Sequence, residues 1–230
     1  MRVAVVHNTR VSNPGLVGAA LSEAGAEIAT FRPHADGTLP DTGHDALVVF
    51  GGEQAATADA THPYLPALAQ LMRAYGEAGR AVLGICLGAQ ILARGYGAEN
   101  MIGTAPEFGW CEISARGSDP VLAAAAGAGG RFTSFQWHSD TFSLPAGASH
   151  LAAGTRVANQ AFRLGRAAYG TQFHFEADAA VVSEWAAAFP GEMRKMDAAW
   201  PDALDAQTAR HGPASDAAGR ALARAWVALI

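Results

Sequence analysis

The sequence is almost without lysine. Its 16 lysines and arginines in 230 residues include one lysine, Lys195, which lies in EMRKMD and follows no glycine-rich loop. That excludes a Walker-type phosphate loop and argues against Schiff-base chemistry. A basic stretch is missing too: the formal net charge is -5 and charges of both signs are interspersed, so the electrostatic footprint of a nucleic-acid surface is absent. Cysteine is scarce, with Cys86 and Cys111 the two in the chain, and both are expected to be free thiols in a reducing compartment. Arg2 is followed by a short apolar run that stops at His7, too short for a signal-peptide core. No window approaches the ~20 uninterrupted apolar residues of a membrane span. The expectation is a cytoplasmic protein with neither membrane nor nucleic acid as partner.

Hydrophobic residues make up 50% of the chain, enough for a sizeable core in one domain with a modest extension. Short apolar runs, VAVVH (3–7), EIATF (27–31), ALVVF (46–50) and AVLGI (81–85), read as buried strands. Between and after them, 13–25, 64–79 and 87–97 read as helices, the first beginning near Ser12 or Asn13. Apolar strands separated by helices imply a parallel sheet covered on both faces. From 100 to 176 strands follow one another without long helices, in GWCEISA, FTSFQWHSDTFSL, NQAFRLG and AAYGTQFHF. These predict antiparallel pairs at one edge or in a small second sheet. AAAAGAGG (123–130) is a loop after a short helix, and the chain from Asp178 is alanine-rich and helical, closing on an amphipathic helix in its last residues. The fold class is α/β, a three-layer sandwich whose central sheet is mostly parallel, with added antiparallel strands and a helical C-terminus. Residues 1–190 form that domain, and 191–230 a helical extension packed on it.

Three short stretches carry chemistry. In GICLGAQ (84–90) a strand ends in Gly-x-Cys-x-Gly and turns at once into a helix, the geometry of a nucleophile elbow. The helix start would favour thiolate at Cys86, and the Leu87 N–H would face an oxyanion. A buried cysteine between glycines that serve only close packing is the other reading of the same residues. In TQFHFEAD, residues two apart on an extended run share a face, so Glu176 can lie beside His174 and fix its tautomer. A solvated ion pair or half a metal site would also use His-x-Glu, though no third ligand stands at a suitable spacing. In LVVFGG, the glycines end a central strand at the crevice where open α/β sheets bind ligands, and the Gly52 N–H is a natural second oxyanion donor.

LVVFGG, GICLGAQ, QWHSD and FHFE, in that order on an α/β background, resemble the class I (triad) glutamine amidotransferases, and most closely stand-alone proteins similar to the glutaminase domain of GMP synthase. The likeness runs from about Val3 to Phe189. It implies the flavodoxin-like fold of that family, a Cys86–His174–Glu176 triad, an oxyanion hole at Gly52 and Leu87, and no cofactor or metal. It also implies that Gln90 contacts bound glutamine and that backbone around His138, Ser139 and Asp140 holds its amino-acid end, with the His138 side chain in a structural role. Two departures stand out: the family commonly has His-Pro-Glu where this chain has His174-Phe175-Glu176, and Gly-Gly-Pro where it has Gly51-Gly52-Glu53. Neither removes a reacting group, but Glu53 puts a carboxylate at the pocket mouth. Phe175 is expected to pack in the core and Cys111 to be a buried strand residue without a chemical role.

Three functions fit these residues. The first is a glutaminase passing ammonia to a separate synthetase, the second a free-standing cysteine hydrolase of γ-glutamyl amides or peptides. The third, of another class, is a non-catalytic binding or regulatory module.

Overall fold

The computed structural model describes residues 1–230 except Ser12 and Ala128. Its first half alternates strand and helix: β1 (Arg2–Val6), α1 (Gly15–Glu23), β2 (Glu27–Phe31), α2 (Pro33–Asp36), β3 (Ala46–Val49), α3 (Leu65–Glu77), β4 (Ala81–Ile85) and α4 (Leu87–Gly95). Strands then predominate: β5 (Asn100–Met101), β6 (Glu107–Ala115), α5 (Pro120–Ala125), β7 (Arg131–His138), β8 (Thr141–Phe142), β9 (Ser149–Gly154), β10 (Ala161–Leu164) and β11 (Ala168–Thr171). Three helices follow, α6 (Ala179–Ala188), α7 (Pro190–Met196) and α8 (Trp200–Val227).

Alternation along the central strands divides their side chains between two cores. Val3 and Val5 of β1, Val48 of β3 and Leu83 of β4 meet α1, α5 and α8 on one face. Ala4, Val6, Leu47, Val49 and Val82 meet α3 and α4 on the other. With both faces covered there is no polar face to show, which is why these strands read as continuous apolar runs. The nine-stranded sheet has the order β2-β1-β3-β4-β11-β10-β9-β6-β7. β1 pairs in parallel with both β2 and β3, and β4 in parallel with both β3 and β11. The strand order turns outward on either side of β1, so the carboxyl ends of β1, β3 and β4 open onto one crevice. A third cluster, Phe135, Val181, Val182, Met193 and Trp200, lies under α6, α7 and the start of α8.

Both expected arrangements of the antiparallel strands occur. β10, β9, β6 and β7 extend the main sheet, while β5 and β8 form a pair of their own. The run 132–144, read as one strand, breaks after His138 because its corner is tied elsewhere: Ala105 N–H donates to Ser139 O at 2.8 Å and Gly103 N–H to Asp140 Oδ1 at 2.8 Å. β9 was not legible, since SHLAAG contains no β-branched residue. The closing helix starts well before the amphipathic stretch and runs through Pro213. At the start of α1, Asn13 Oδ1 accepts the Gly15 N–H at 3.0 Å, whereas Ser12 lies outside the described residues. The loop reading of 123–130 is met after α5 ends at Ala125, apart from Ala128, which is likewise not described.

Candidate active site

The whole reversal from β4 into α4 falls on one residue. Cys86 has φ 52° and ψ -109° and is the one non-glycine at positive φ among the described residues. Such a conformation costs on the order of 1–3 kcal/mol and persists only where the surroundings enforce it. Here they do: the Cys86 N–H donates to Thr171 O on β11 at 2.8 Å, and α4 is pressed against the sheet by two glycines. A Cβ at Gly84 would overlap the Gly88 backbone, and one at Gly88 would overlap the Val49 carbonyl. The elbow lifts the side chain to the crevice, where Cys86 is 6% exposed with Sγ 3.8 Å from the Trp137 carbonyl oxygen.

His174 arrives by a different route from the one its sequence suggested. β11 ends at Thr171 rather than running through the histidine, and His174 instead makes an isolated bridge to Phe135, donating its N–H to Phe135 O at 2.8 Å. A turn at Phe175 and Glu176 follows. The pairing that strand geometry predicted is present even so: Nδ1 of His174 is 2.7 Å from Glu176 Oε1. With a carboxylate at Nδ1, that nitrogen is held protonated and the other ring nitrogen is left to bond the Cys86 sulfur. Phe175 packs into the core beside Phe173 with ring centroids 6.2 Å apart, as expected. Glu176 is 2% exposed, and its backbone carbonyl accepts the Leu16 N–H at 2.9 Å.

Burial alone would push the His174 pKa down, yet it stands well above its usual value of 6.5, at about 10. The negative charge of Glu176, then Cys86, and hydrogen bonds to both outweigh the desolvation. An imidazolium held between the Glu176 carboxylate and the Cys86 sulfur is the result. Gly51 closes this group, since a Cβ there would sit 3.1 Å from His174 Cε1 and 3.5 Å from Cys86 Cβ. Trp185 covers the ring edge-on, with centroids 5.0 Å apart.

The loop after β3 is held by β1. Asn8 Nδ2 donates to Phe50 O at 2.8 Å, Tyr64 Oη donates to Asn8 Oδ1 at 3.1 Å, and Gln54 Nε2 reaches Tyr64 Oη at 2.6 Å. Gly52 is thereby brought against Leu87: a Cβ on it would lie 2.9 Å from Leu87 Cδ2 and 2.8 Å from Asn8 Cβ. Leu87 opens α4, where the first N–H groups have no partner within the helix. Glu53 is exposed at the rim and accepts from the Thr9 hydroxyl at 3.1 Å. His7 stacks on Phe50 with ring centroids 5.2 Å apart, and burial, helped by Arg32 and His34, lowers its pKa to about 4. It is therefore neutral at physiological pH.

These residues enclose a pocket of about 290 Å³, also lined by Gln90, His138, Ser139 and Asp140. That is the low end of the range for small-molecule sites. Gln90 is 3% exposed and donates from Nε2 toward Asp140 O at 3.3 Å and Gln172 Oε1 at 3.2 Å. Both nitrogens of His138 are engaged within the protein, Nδ1 with Asp140 O at 3.0 Å and Nε2 with Glu107 Oε2 at 3.2 Å. This bonding fits the structural role expected for its side chain. Glu107 also accepts from Gln160 at 2.6 Å, and Gln160 from Gln136 at 2.8 Å, so a buried polar chain runs behind the 138–140 corner. Cys111 sits away from the pocket on β6, half-buried rather than fully buried, and burial followed by the nearby Glu107 raises its thiol pKa to about 11.

Several residues that shape the pocket escaped the sequence reading. Asn8, which holds the Phe50–Gly52 loop from behind rather than lining the pocket, could have been found, since it lies just beyond a central strand at the end where ligands bind. Trp185, Phe189, Glu192 and Met196 line the pocket, but they come from α6, α7 and the residue that joins them and belong to no motif.

Comparison with known proteins places this geometry among relatives. A profile of the glutamine amidotransferase class-I family matches residues 6–182. The chain is 30% identical over 181 residues to the glutamine amidotransferase-like protein YfeJ of Salmonella typhimurium, covering 76% of each. It superposes on a glutamine amidotransferase from Thermotoga maritima with TM-score 0.84 and 25% identity, over 98% of both chains. A GMP synthase subunit-like protein from Thermoplasma acidophilum aligns with TM-score 0.60 and 26% identity, over 77% of this chain and 85% of that one.

Proposed function

Since the chain belongs to the class-I glutamine amidotransferase family, we propose that Cys86 attacks a γ-glutamyl carbonyl, with His174 and Glu176 completing the triad. The observation that carries this reading is the strained elbow at Cys86 facing a buried imidazolium bonded to Glu176 at 2.7 Å. As the Sγ–C bond forms, the carbonyl oxygen takes up charge beside the Gly52 and Leu87 N–H groups, the two proposed oxyanion donors. His174 gives its proton to the departing nitrogen, the C–N bond breaks, and a γ-glutamyl thioester remains. Water, deprotonated by the now neutral His174, then cleaves the thioester to glutamate, releasing the Cys86 thiolate beside the restored imidazolium. Glu176 holds the ring throughout, while Gln90 and the 138–140 backbone hold the amino-acid end of the substrate.

Glutamine is the substrate that family membership suggests first, its ammonia going to a separate synthetase. A second reading keeps the chemistry and enlarges the leaving amine, and the open aromatic wall at Trp137, Trp185 and Phe189 favours it. An electrophilic glutamine analogue, followed by intact mass, tests the shared mechanism. One adduct per chain is expected for wild type and none for Cys86→Ala. Turnover of any γ-glutamyl amide by Cys86→Ala at the wild-type rate would reject the mechanism. Failure of folded wild type to label would leave a binding module on an enzyme fold. Adding candidate synthetases to the glutaminase assay separates the first reading from the second.

A further inference from the structure

Ammonia needs no wall, yet the pocket has one. On the His174 side, Trp185 stands edge-on to the histidine ring, Trp137 lies 6.0 Å from Trp185, and Phe189 lies 6.0 Å from Trp137, all between ring centroids. Met196 extends this surface, and all four side chains are only partly buried. The leaving nitrogen must lie against His174, because that ring supplies its proton. Whatever the nitrogen carries therefore continues toward Trp185 and Trp137. Glutamine ends at the nitrogen and would leave this apolar surface wet.

The exposed charged side chains that line the mouth are acidic, with the Arg10 guanidinium beside Phe189 as a nearby cation. None of the residues lining the pocket is lysine or arginine, whereas Glu53 and Glu192 stand exposed at its rim. Arg10, outside the lining, places its guanidinium 5.8 Å from the Phe189 ring centre, so that ring already carries a cation and the aromatic surface left for a ligand's charge is that of Trp137 and Trp185.

Resting on the Cys86 mechanism above, we propose that Trp137, Trp185, Phe189 and Met196, with Glu53 and Glu192, form a leaving-group subsite. The preferred substrate is a γ-glutamyl amide of an organic amine whose apolar stem carries a positive charge. The step balances without any co-reactant but water: the amide C–N bond breaks as the Cys86 thioester forms, the amine leaves with the imidazolium proton, and hydrolysis yields glutamate.

The purified full chain should be assayed on glutamine, on γ-glutamyl n-butylamide, on the mono-γ-glutamyl amide of a four-carbon diamine, and on the corresponding amide of a four-carbon amino acid. Burial of the alkyl stem should raise kcat/KM at least about tenfold from glutamine to the butylamide. The terminal cation should add roughly a further threefold to tenfold, and the anionic amide should be the poorest of the three substituted ones. Within Trp185→Ala, the ratio of butylamide to glutamine should fall about tenfold. Within the double variant Glu53→Gln and Glu192→Gln, the ratio of cationic to anionic amide should approach unity. Glutamine turned over as well as the substituted amides, an anionic amide preferred, or no turnover of any amide would each overturn the subsite. If that happens while the glutamine analogue still labels Cys86, the subsite falls and the mechanism stands. Wild-type turnover by Cys86→Ala instead removes the mechanism itself.

Discussion

At the scale of single residues, the titration of His174 is the most direct lever. Its folded pKa lies above the unfolded value of 6.5, at about 10, so the folded state holds the proton more tightly. The stability this contributes is fully present below about pH 6.5 and is lost as pH rises through about 10. Glu176→Gln removes the largest upward influence and leaves burial to pull the pKa down. The expected result is a high-pH limb of kcat/KM that moves to lower pH, with a flatter dependence of stability on alkaline pH. An unmoved limb would show that Glu176 does not set the charge of the ring. Gly51→Ala probes the same group sterically, since the new methyl would lie 3.1 Å from His174 Cε1 and the ring must give by a few tenths of an ångström. A fall in kcat of about tenfold is expected with the fold retained by circular dichroism. These residues were legible because each sits in a short motif: the elbow needs small flanking residues, and His-x-Glu places two side chains together at a separation of two. The route was less legible, because the bridge of His174 to Phe135 depends on a strand distant in sequence.

At the scale of elements, the 138–140 corner depends on a polar chain that no motif announces. His138 and Glu107 are buried with side chains 1% and 2% exposed, and Glu107 pairs with His138 across the β6–β7 ladder. The His138 ring holds Asp140 O, and the same carbonyl accepts from Gln90. Replacing Glu107 by Ala leaves His138 Nε2 and Gln160 without their acceptor in a site closed to water, a loss of about 1–3 kcal/mol for each buried group left unsatisfied. Urea unfolding should show a lower midpoint. Because the corner is proposed to grip the amino-acid end of the substrate, KM should rise more than kcat falls. A neutral effect on both would mean that the chain of bonds is not shared between fold and site. Sequence reading assigned the parallel strands well, since local apolar periodicity determines them, and did worse on this half of the sheet. β9 has no β-branched residue and β8 leaves the strand it continues in sequence, so both are set by long-range pairing rather than by local pattern.

At the scale of the whole molecule, the C-terminal helices are as much a part of the pocket as of the core. Trp226, fully buried, sits with Leu222 and Ala223 of α8 in the cluster that covers one face of the sheet. At the other end of the same helix, Trp200 packs against Phe108 at 4.7 Å, Trp110 at 5.8 Å and Phe135 at 6.0 Å between ring centroids. Gly109, at φ 85°, lets the indole approach, since a Cβ there would lie 2.9 Å from Trp200 Cζ3. The aromatic contacts continue from Phe135 to Trp185, which covers His174. Trp200→Ala therefore opens a cavity one layer behind the proposed leaving-group wall. The fold should lose about 3–5 kcal/mol, as large aromatic truncations in a core do, seen as a lower urea midpoint with little change in slope. The wall should loosen with it, so that kcat/KM for a bulky γ-glutamyl amide drops more than that for glutamine in the same variant. Equal losses on the two substrates would confine Trp200 to holding the fold, and a stability unchanged within error would mean that α8 does not cover the sheet as described.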